Sequence, residues 1–304
     1  MYETPNMDTK VLITGGTGLV GMYLSELLAE KGYSIVHLSR TEKLNKKFPA
    51  YKWDIDAGYI DPRALQVDHV VHLAGESVAG GRWTAARKKS IYDSRIKSTR
   101  LLVEKIKSDG PQVKTFVSAS AVGYYGWDTG AVWVDEEAKS GLDFLAKVVI
   151  DWESETNKLE QIAVSTIRIG IVLSDKDGAL PKLALPIKLG AGAALGNGQQ
   201  YMSWIHIHDL ASMFCFAIEH KLLGAYNAVA PQPATNREFT KQTASVLKKP
   251  LFLPPVPGFV MKAMMGEMSQ IVLGGNRVSS KKVVEAGFVF TYDELKPALQ
   301  NLLS

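Results

Sequence analysis

Short apolar runs alternate with amphipathic stretches through the first half of the chain. Lys10-Val-Leu-Ile-Thr14 reads as a strand, Gly18 to Lys31 as a helix, and Ser34-Ile-Val-His-Leu-Ser39 as a second strand. His69-Val-Val-His-Leu73 reads as another, followed by a basic helix near Thr84 to Ser108 and the strand Thr115-Phe-Val-Ser118. A helix around Asp143 to Gln161 and the strand Val164-Ser-Thr-Ile-Arg-Ile169 continue the series. Short β-branched runs separated by helical patterns of ~10–15 residues predict βαβ units. The expected fold is therefore α/β, a Rossmann-type doubly wound parallel sheet of about six strands.

The pattern changes after Ser174. Loops rich in Gly and Ala (190–198) and in Pro (249–257) interrupt shorter helices, while Ile207 to Glu219 returns to a core-helix pattern. Residues 1–174, completed by about 205–228, are expected to form the Rossmann domain. Residues 175–204 and 229–304 would form a smaller mixed α/β C-terminal lobe over the sheet edge, holding substrate.

Between the first strand and first helix, Thr14-Gly-Gly-Thr-Gly-Leu-Val-Gly21 carries glycines at 15, 18 and 21. In that context the early glycines permit a tight turn and close backbone approach to a pyrophosphate, and the last lets helix and strand pack closely. The helix N-terminus then offers free N–H groups and its dipole to the anion. Gly15, Thr17, Gly18, Leu19, Val20 and Gly21 are the candidate contacts. About twenty residues on, the second strand ends in Ser39 and Arg40, where a chain preferring NAD places Asp or Glu on the ribose 2′-hydroxyl. A hydroxyl and a guanidinium suit a 2′-phosphate instead, so NADP is expected over NAD.

Composition narrows the rest. Of 304 residues, 46% are hydrophobic and 22% charged, and 26 Gly and 13 Pro follow no period, which excludes disorder and collagen-like chains. A single cysteine, Cys215, excludes a disulfide framework and any multi-cysteine metal site, and its apolar neighbours predict a core position. The 35 basic residues are dispersed among 31 acidic ones, so no nucleic-acid face is expected and a small molecule is the expected partner. No run of about 18 apolar residues predicts a membrane span. Met1 to Lys10 lacks the charged-then-apolar order of a secretory leader, so a cytoplasmic location is expected. The six residues ahead of Met7 read as an added tail or as the result of an early start. Monomer and homodimer both stay open.

The glycine spacing, His72-Leu-Ala-Gly75 and Ser118-Ala-Ser-Ala-Val-Gly-Tyr-Tyr-Gly126 resemble the short-chain dehydrogenase/reductase superfamily, extended type. Arg168-Ile-Gly-Ile-Val-Leu173, Tyr201-Met-Ser-Trp-Ile-His-Ile-His-Asp209, Asn227-Ala-Val-Ala-Pro231 and Ala286-Gly-Phe-Val-Phe290 narrow the resemblance to the NAD(P)-dependent epimerase-like subfamily. Its members are often labelled sugar-nucleotide epimerase or cell-division-inhibitor-like, and end in a domain of unknown function. The resemblance spans residues 10–303. It implies that Leu73, Ala74 and Gly75 pass close to a ribose, that Asp54 lies near the adenine, and that Ile171 and Val172 border the nicotinamide.

The superfamily's Ser, Tyr and Lys move a proton beside the hydride path. Ser120 matches the serine, with Ser118 as the alternative, but the Tyr-x-x-x-Lys pair is missing. In one register Asp143 and Lys147 stand in its place, in the other Leu145 and Val149, and Arg95 stands where the family carries Asn. Tyr124 and Glu76 are the candidates for proton transfer, with Ser120 polarising a substrate oxygen. Arg82, Trp83, Arg95 and His206 are candidates for binding a small, anionic or sugar-derived substrate. His206 and His208 would share a strand face but lack a third ligand, so no metal site is expected. Asp209 is expected to cap the helix that follows. Met261, Met264, Met265 and Met268, at helical spacing, are expected in core or in a lid over the cleft. Two functions follow: an NADP-dependent oxidoreductase or epimerase-like enzyme with an atypical site, or a non-catalytic NADP(H) sensor acting through a protein partner.

Overall fold

The computed structural model describes residues 9–304; the stretch before Met7 and both alternative starts lie outside the described residues. The chain forms strands β1 (Lys10–Thr14), β2 (Ser34–Ser39), β3 (Ala50–Asp54), β4 (Tyr59–Ile60), β5 (His69–His72), β6 (Thr115–Ala121) and β7 (Trp133–Val134). β8 (Ala163–Ile169), β9 (Ile171–Leu173), β10 (Tyr201–Met202), β11 (Trp204–His206), β12 (Gly224–Ala228), β13 (Ala234–Thr235) and β14 (Arg277–Val278) follow. The helices are α1 (Leu19–Glu30), α2 (Ala85–Asp109), α3 (Phe144–Thr156), α4 (Ala179–Lys188) and α5 (Ile207–Glu219). The last five are α6 (Asn236–Val246), α7 (Gly258–Met265), α8 (Gln270–Leu273), α9 (Lys281–Glu285) and α10 (Leu295–Leu303).

Eight strands make the central sheet in the order β12-β8-β6-β5-β1-β2-β3-β4. Every pair is parallel except β3–β4, the hairpin that ends one edge. Strand order reverses between β1 and β5, and ligands of open α/β sheets bind in the crevice at such a point. Both faces are covered, as near-continuous apolar strands require. Val11 and Ile13 of β1 pack with Leu24 and Leu28 of α1 and with Leu210 and Phe214 of α5. Leu12, pointing the other way, packs with Leu101 and Leu102 of α2.

The sheet is the doubly wound one expected, with two more strands than counted from the sequence. β6 runs to Ala121 and so takes Ser120 into the strand. α3 stops at Thr156, five residues short of Gln161, because Asn157 closes the helix as its C-cap. Cys215 is buried on α5, and burial pushes its thiol pKa up to about 12. Beyond β8, Gly170 lets the chain pass Ser203, whose carbonyl oxygen would lie 2.2 Å from a Cβ there. β9 then pairs with β11, and Leu173, Trp204, Phe239 and Leu299 share a further core. The four methionines divide: Met268 is buried, while α7 has no buried residue and Met264 is 66% exposed. Among the described residues no helix is long and apolar enough to cross a membrane.

Candidate cofactor and active site

The glycine loop is built for close approach. Gly15 has φ +68°, and a Cβ there would lie 3.0 Å from the backbone of Leu73 and Ala74 across the β1–β5 crevice. A Cβ on Gly21 would sit 2.3 Å from Gly15 O, so helix and loop can pack only without one. Gly18 is the N-cap of α1, with no side-chain cap and no acidic residue in the first turn. The N–H groups of that turn, around Leu19 and Val20, and the helix dipole are thus left for an anion. Thr17 precedes this cap. Gly16, absent from the sequence reasoning, has its own reason: a Cβ would lie 2.4 Å from the His37 ring, which Ser25 holds at 2.8 Å. The doubled glycine after Thr14 was its signal.

Ser39 ends β2, its hydroxyl accepting from Thr41 N–H at 3.4 Å. Arg40 is exposed, and none of the hydrogen bonds or ion pairs among the described residues involves it. Asp54 ends β3 and accepts from Ala57 N–H at 3.1 Å. Ile171 and Val172 are half-buried in β9. A Cβ on Gly178 would lie 3.6 Å from Leu19 and 3.7 Å from Val172 O, which brings the end of β9 against the start of α1.

On α3 the two registers separate. Asp143 caps the helix, accepting from the N–H groups of Leu145 and Ala146, and Lys147 is exposed and paired with Asp151 at 3.0 Å. Leu145 and Val149 instead face Gly123, beyond the end of β6, at 3.5 and 4.0 Å from a Cβ there. In the second register, then, two apolar side chains stand beside the end of β6. Ser120, 3% exposed, donates its hydroxyl proton to Glu153 Oε1 at 2.5 Å. Glu153 takes a two-pronged ion pair from Arg168, at 2.9 and 2.8 Å. Arg168 also donates to Tyr125 Oη at 3.2 Å, and Tyr125 donates to Asn227 Oδ1 at 2.7 Å. Burial pushes Tyr125 up to about 12. Burial acts to lower Arg168, yet the hydrogen bond and charge of Glu153 hold it above the usual guanidinium value. The Arg168 guanidinium lies on the face of the Tyr124 ring, 3.5 Å from its centroid, and the Tyr124 hydroxyl makes none of the hydrogen bonds described. Sequence reasoning quoted Arg168 only within a motif and missed Glu153, Arg168 and Asn227 as one network.

After β5, Glu76 accepts from Ser90 Oγ at 2.5 Å and from Arg87 at 2.9 Å. The Ser90 hydrogen bond, with help from Arg87 and Arg95, holds its carboxyl below the usual range, so it is ionised near neutral pH. Arg95 lies over Gly75, its Cζ 3.1 Å from where a Cβ would be, and over the Trp152 ring at 5.3 Å. Burial lowers its pKa to about 10, and among the described residues its guanidinium donates to Ile91 O at 3.1 Å. Arg82 donates to Ala263 O at 2.7 Å and Met264 O at 3.0 Å, capping the C-terminus of α7. Trp83 donates to Val78 O and meets Phe144 edge-on. His206 is buried against Tyr292, ring centroids 3.9 Å apart, and burial lowers its pKa to about 4.

His206, not Asp209, caps α5 by accepting from His208 N–H at 3.1 Å. The helix begins one residue after His206, which puts Asp209 inside its first turn. From there it accepts from the N–H groups of Thr291 and Tyr292 at 2.8 and 2.9 Å, anchoring the C-terminal segment. His208 accordingly lies on the helix rather than sharing a strand face with His206.

Residues 11–228 match the NAD dependent epimerase/dehydratase family, and residues 256–302 match a domain of unknown function, DUF1731. The chain is 36% identical over 299 residues to the epimerase family protein YfhF of Bacillus subtilis, covering 97% of this chain and 98% of that one. The crystal structure of human epimerase family protein SDR39U1 with NADPH superimposes with TM-score 0.86 at 30% identity, over 97% and 99% of the two chains. A nucleoside-diphosphate sugar epimerase from Corynebacterium glutamicum gives TM-score 0.79 at 32% identity, over 97% of this chain and 58% of that one. A crevice at the β1–β5 reversal, a glycine loop under an uncapped helix and likeness along nearly the whole chain agree: this chain belongs to the NAD dependent epimerase/dehydratase family and ends in a DUF1731 domain.

Proposed function

We propose that the chain is an NADP-dependent oxidoreductase or epimerase-like enzyme whose proton-transfer group is Tyr124. The observation that carries the cofactor reading is Arg40: exposed, unpaired among the described residues, and following the strand end where an NAD site needs a carboxylate. The human relative bound to NADPH supports the same preference. The residues present fit such a cofactor, because the first turn of α1 has no side-chain cap of its own and Gly15, without a Cβ, lets the loop come close to the end of β5. Bound there, the nicotinamide supplies reversible hydride exchange with a substrate carbon.

The chain's own residues do the remainder. Arg40 and Ser39 hold the 2′-phosphate, and the first turn of α1 holds the pyrophosphate. Tyr124 gives or takes the substrate proton from a ring fixed by the Arg168 guanidinium beneath it. Ser120 acts through Glu153, which it anchors and which in turn places Arg168. Glu76, ionised and tied to Ser90 and Arg87, shapes the loop after β5. Residues 175–204 and 229–304 supply the substrate side.

Energy transfer from tryptophan to nicotinamide, in titrations with NADPH and NADH, tests this. Arg40→Ala is expected to weaken NADPH about tenfold to a hundredfold, the worth of a charge-assisted hydrogen bond, and to leave NADH unchanged. Equal affinity for both nucleotides in the wild type would remove the NADP preference. Tyr124→Phe is expected to keep NADPH affinity and to lose turnover about a hundredfold or more. A second reading is favoured by one observation: Leu145 and Val149, which face Gly123 beyond the end of β6, offer no proton donor. In it the chain senses NADP(H) without chemistry and changes its association with a protein partner; oxidation of NADPH by any substrate would end that reading.

A further inference from the structure

The turn that carries Tyr124 is gripped by one side chain from the far end of the chain. Val122–Tyr125 forms a single 3₁₀ turn leaving β6. Asn276 donates through Nδ2 to Val122 O at 3.3 Å and to Gly126 O at 2.7 Å. Those two carbonyls bracket Gly123, Tyr124 and Tyr125. With two acceptors on one side of the carboxamide, the nitrogen is the end that faces them. Asn276 Oδ1, in contrast, is buried and has no hydrogen-bond partner among the described residues. An interior acceptor left unpaired is unfavourable, so packing alone would favour an apolar residue of the same size. What the amide supplies at this position is its donors.

Asn276 is itself fixed from the other side. Its carbonyl oxygen accepts from Ser203 Oγ at 2.6 Å, and the same hydroxyl accepts from Val278 N–H at 3.0 Å. Ser203 O takes Ile171 N–H at 2.8 Å, which ties the arrangement to β9. Gly274 and Gly275 let the segment pass Trp127 O and Tyr201 O, which a Cβ on either residue would strike. β14 then pairs with β7, and Val278, fully buried, packs with Tyr125, Val122 and Tyr124.

On its ring face Tyr124 meets Arg168, whose place is set by Glu153. Ring and cation keep this contact only while the turn keeps its height above β8. Backbone hydrogen bonds from Gly126 N–H to Gly123 O and from Gly141 N–H to Tyr124 O shape the turn, and both stay within residues 123–141. Asn276 reaches it across 150 positions. We infer that Asn276 is a positioning residue for Tyr124, and that through it the C-terminal domain, residues 256–302, takes part in the proton transfer proposed above. This rests on that reading of Tyr124.

Fluorine NMR of the full chain, with a ring-fluorinated tyrosine at position 124, tests the inference, and NADPH affinity is measured alongside. The wild type is expected to give one narrow line, which shifts when Arg168→Met and Glu153→Leu together remove the cation from the ring face. Asn276→Leu, similar in size and without donors, is expected to broaden or split that line while NADPH affinity stays unchanged. Ser203→Ala loosens Asn276 without touching the turn and is expected to broaden the line less; it carries the test if Asn276→Leu does not fold. A purely structural Asn276 would lower the urea midpoint and leave the line narrow and in place, which would overturn the inference. A wild-type line already broad would overturn it too. Tyr124→Phe with full turnover would instead overturn the reading of Tyr124 on which the inference rests, whatever the fluorine line does.

Discussion

Thr14 Oγ1 and His72 Nδ1 lie 2.7 Å apart at the ends of the two strands between which the sheet order reverses. Thr14 Oγ1 accepts from the N–H groups of Leu73 and Ala74, both at 3.1 Å, so its own proton goes to Nδ1. The imidazole then carries its proton on Nε2 and donates to Thr99 Oγ1 at 2.9 Å, and Thr99 donates to Arg95 O at 2.7 Å. One hydrogen-bond chain fastens β1, β5 and α2 under the candidate cofactor loop. Thr14→Val keeps the shape and strands the Ala74 N–H and a ring nitrogen, while Leu73 N–H keeps the Thr14 carbonyl at 3.2 Å. It should cost about 1–3 kcal/mol and weaken NADPH, while Thr14→Ser stays near wild type. Urea unfolding of the two variants checks this, and equal midpoints would leave the chain without energetic weight.

A neutral imidazole is required there, and burial holds His72 down to about 3. Burial likewise lowers His37, His69 and His206 to about 4. A histidine whose folded pKa lies below its unfolded value near 6.5 binds fewer protons folded than unfolded. Its stabilisation is full above pH ~6.5 and falls as pH drops toward the folded value, each group approaching about 1.4 kcal/mol per pH unit. The urea midpoint should therefore fall steeply between pH 6.5 and 4.5 and stay level, as far as these groups go, from 7 to 8. A flat profile below 6.5 would show these rings to be hydrated in solution.

What could be read from the sequence was local. β1, α1 and the glycine loop follow from a short apolar run and a glycine spacing within twelve positions, and α5 begins and ends where its apolar pattern does. Arg95 and Ser120 were found because a family pattern points to their places. Glu153 and Asn227 were not, because a polar residue inside an apolar helix or strand carries no sign of which distant group satisfies it. Ser120 reaches Glu153 across 33 positions, and Tyr125 reaches Asn227 across 102. Asp209 misled for a related reason: an acid near a helix start reads as a cap, whereas its partners Thr291 and Tyr292 are some eighty residues away.

The Glu153–Arg168 pair lies below the crevice, with both side chains at most 10% exposed. Taking away one member leaves a buried charge without its partner, which costs about 3–5 kcal/mol, whereas replacing both by apolar groups often costs far less. Arg168→Met should accordingly destabilise more than Arg168→Met with Glu153→Leu. The double variant should still bind NADPH and lose turnover, because Tyr124 has lost the cation on its ring face. A double variant with full turnover would separate Arg168 from the chemistry.

α7 buries none of its residues and is held to the loop after β5 and the start of α2 by charge: Arg82 on its last carbonyls, and Lys88 of α2 on Glu267 at 2.6 Å just beyond it. Exposed contacts of this kind contribute about 0–1 kcal/mol each, so Arg82→Ala should leave global stability nearly unchanged. Local opening is another matter, since few buried contacts back these two tethers. Amide exchange across residues 258–268 should quicken several-fold in Arg82→Ala and further with Lys88→Ala, while β1, β5 and β6 stay protected. If α7 is part of the wall that holds substrate, the same variants should raise KM with little effect on NADPH affinity. Unchanged exchange in the double variant would mean that α7 is fixed by its own packing, and its role as a movable wall would fall.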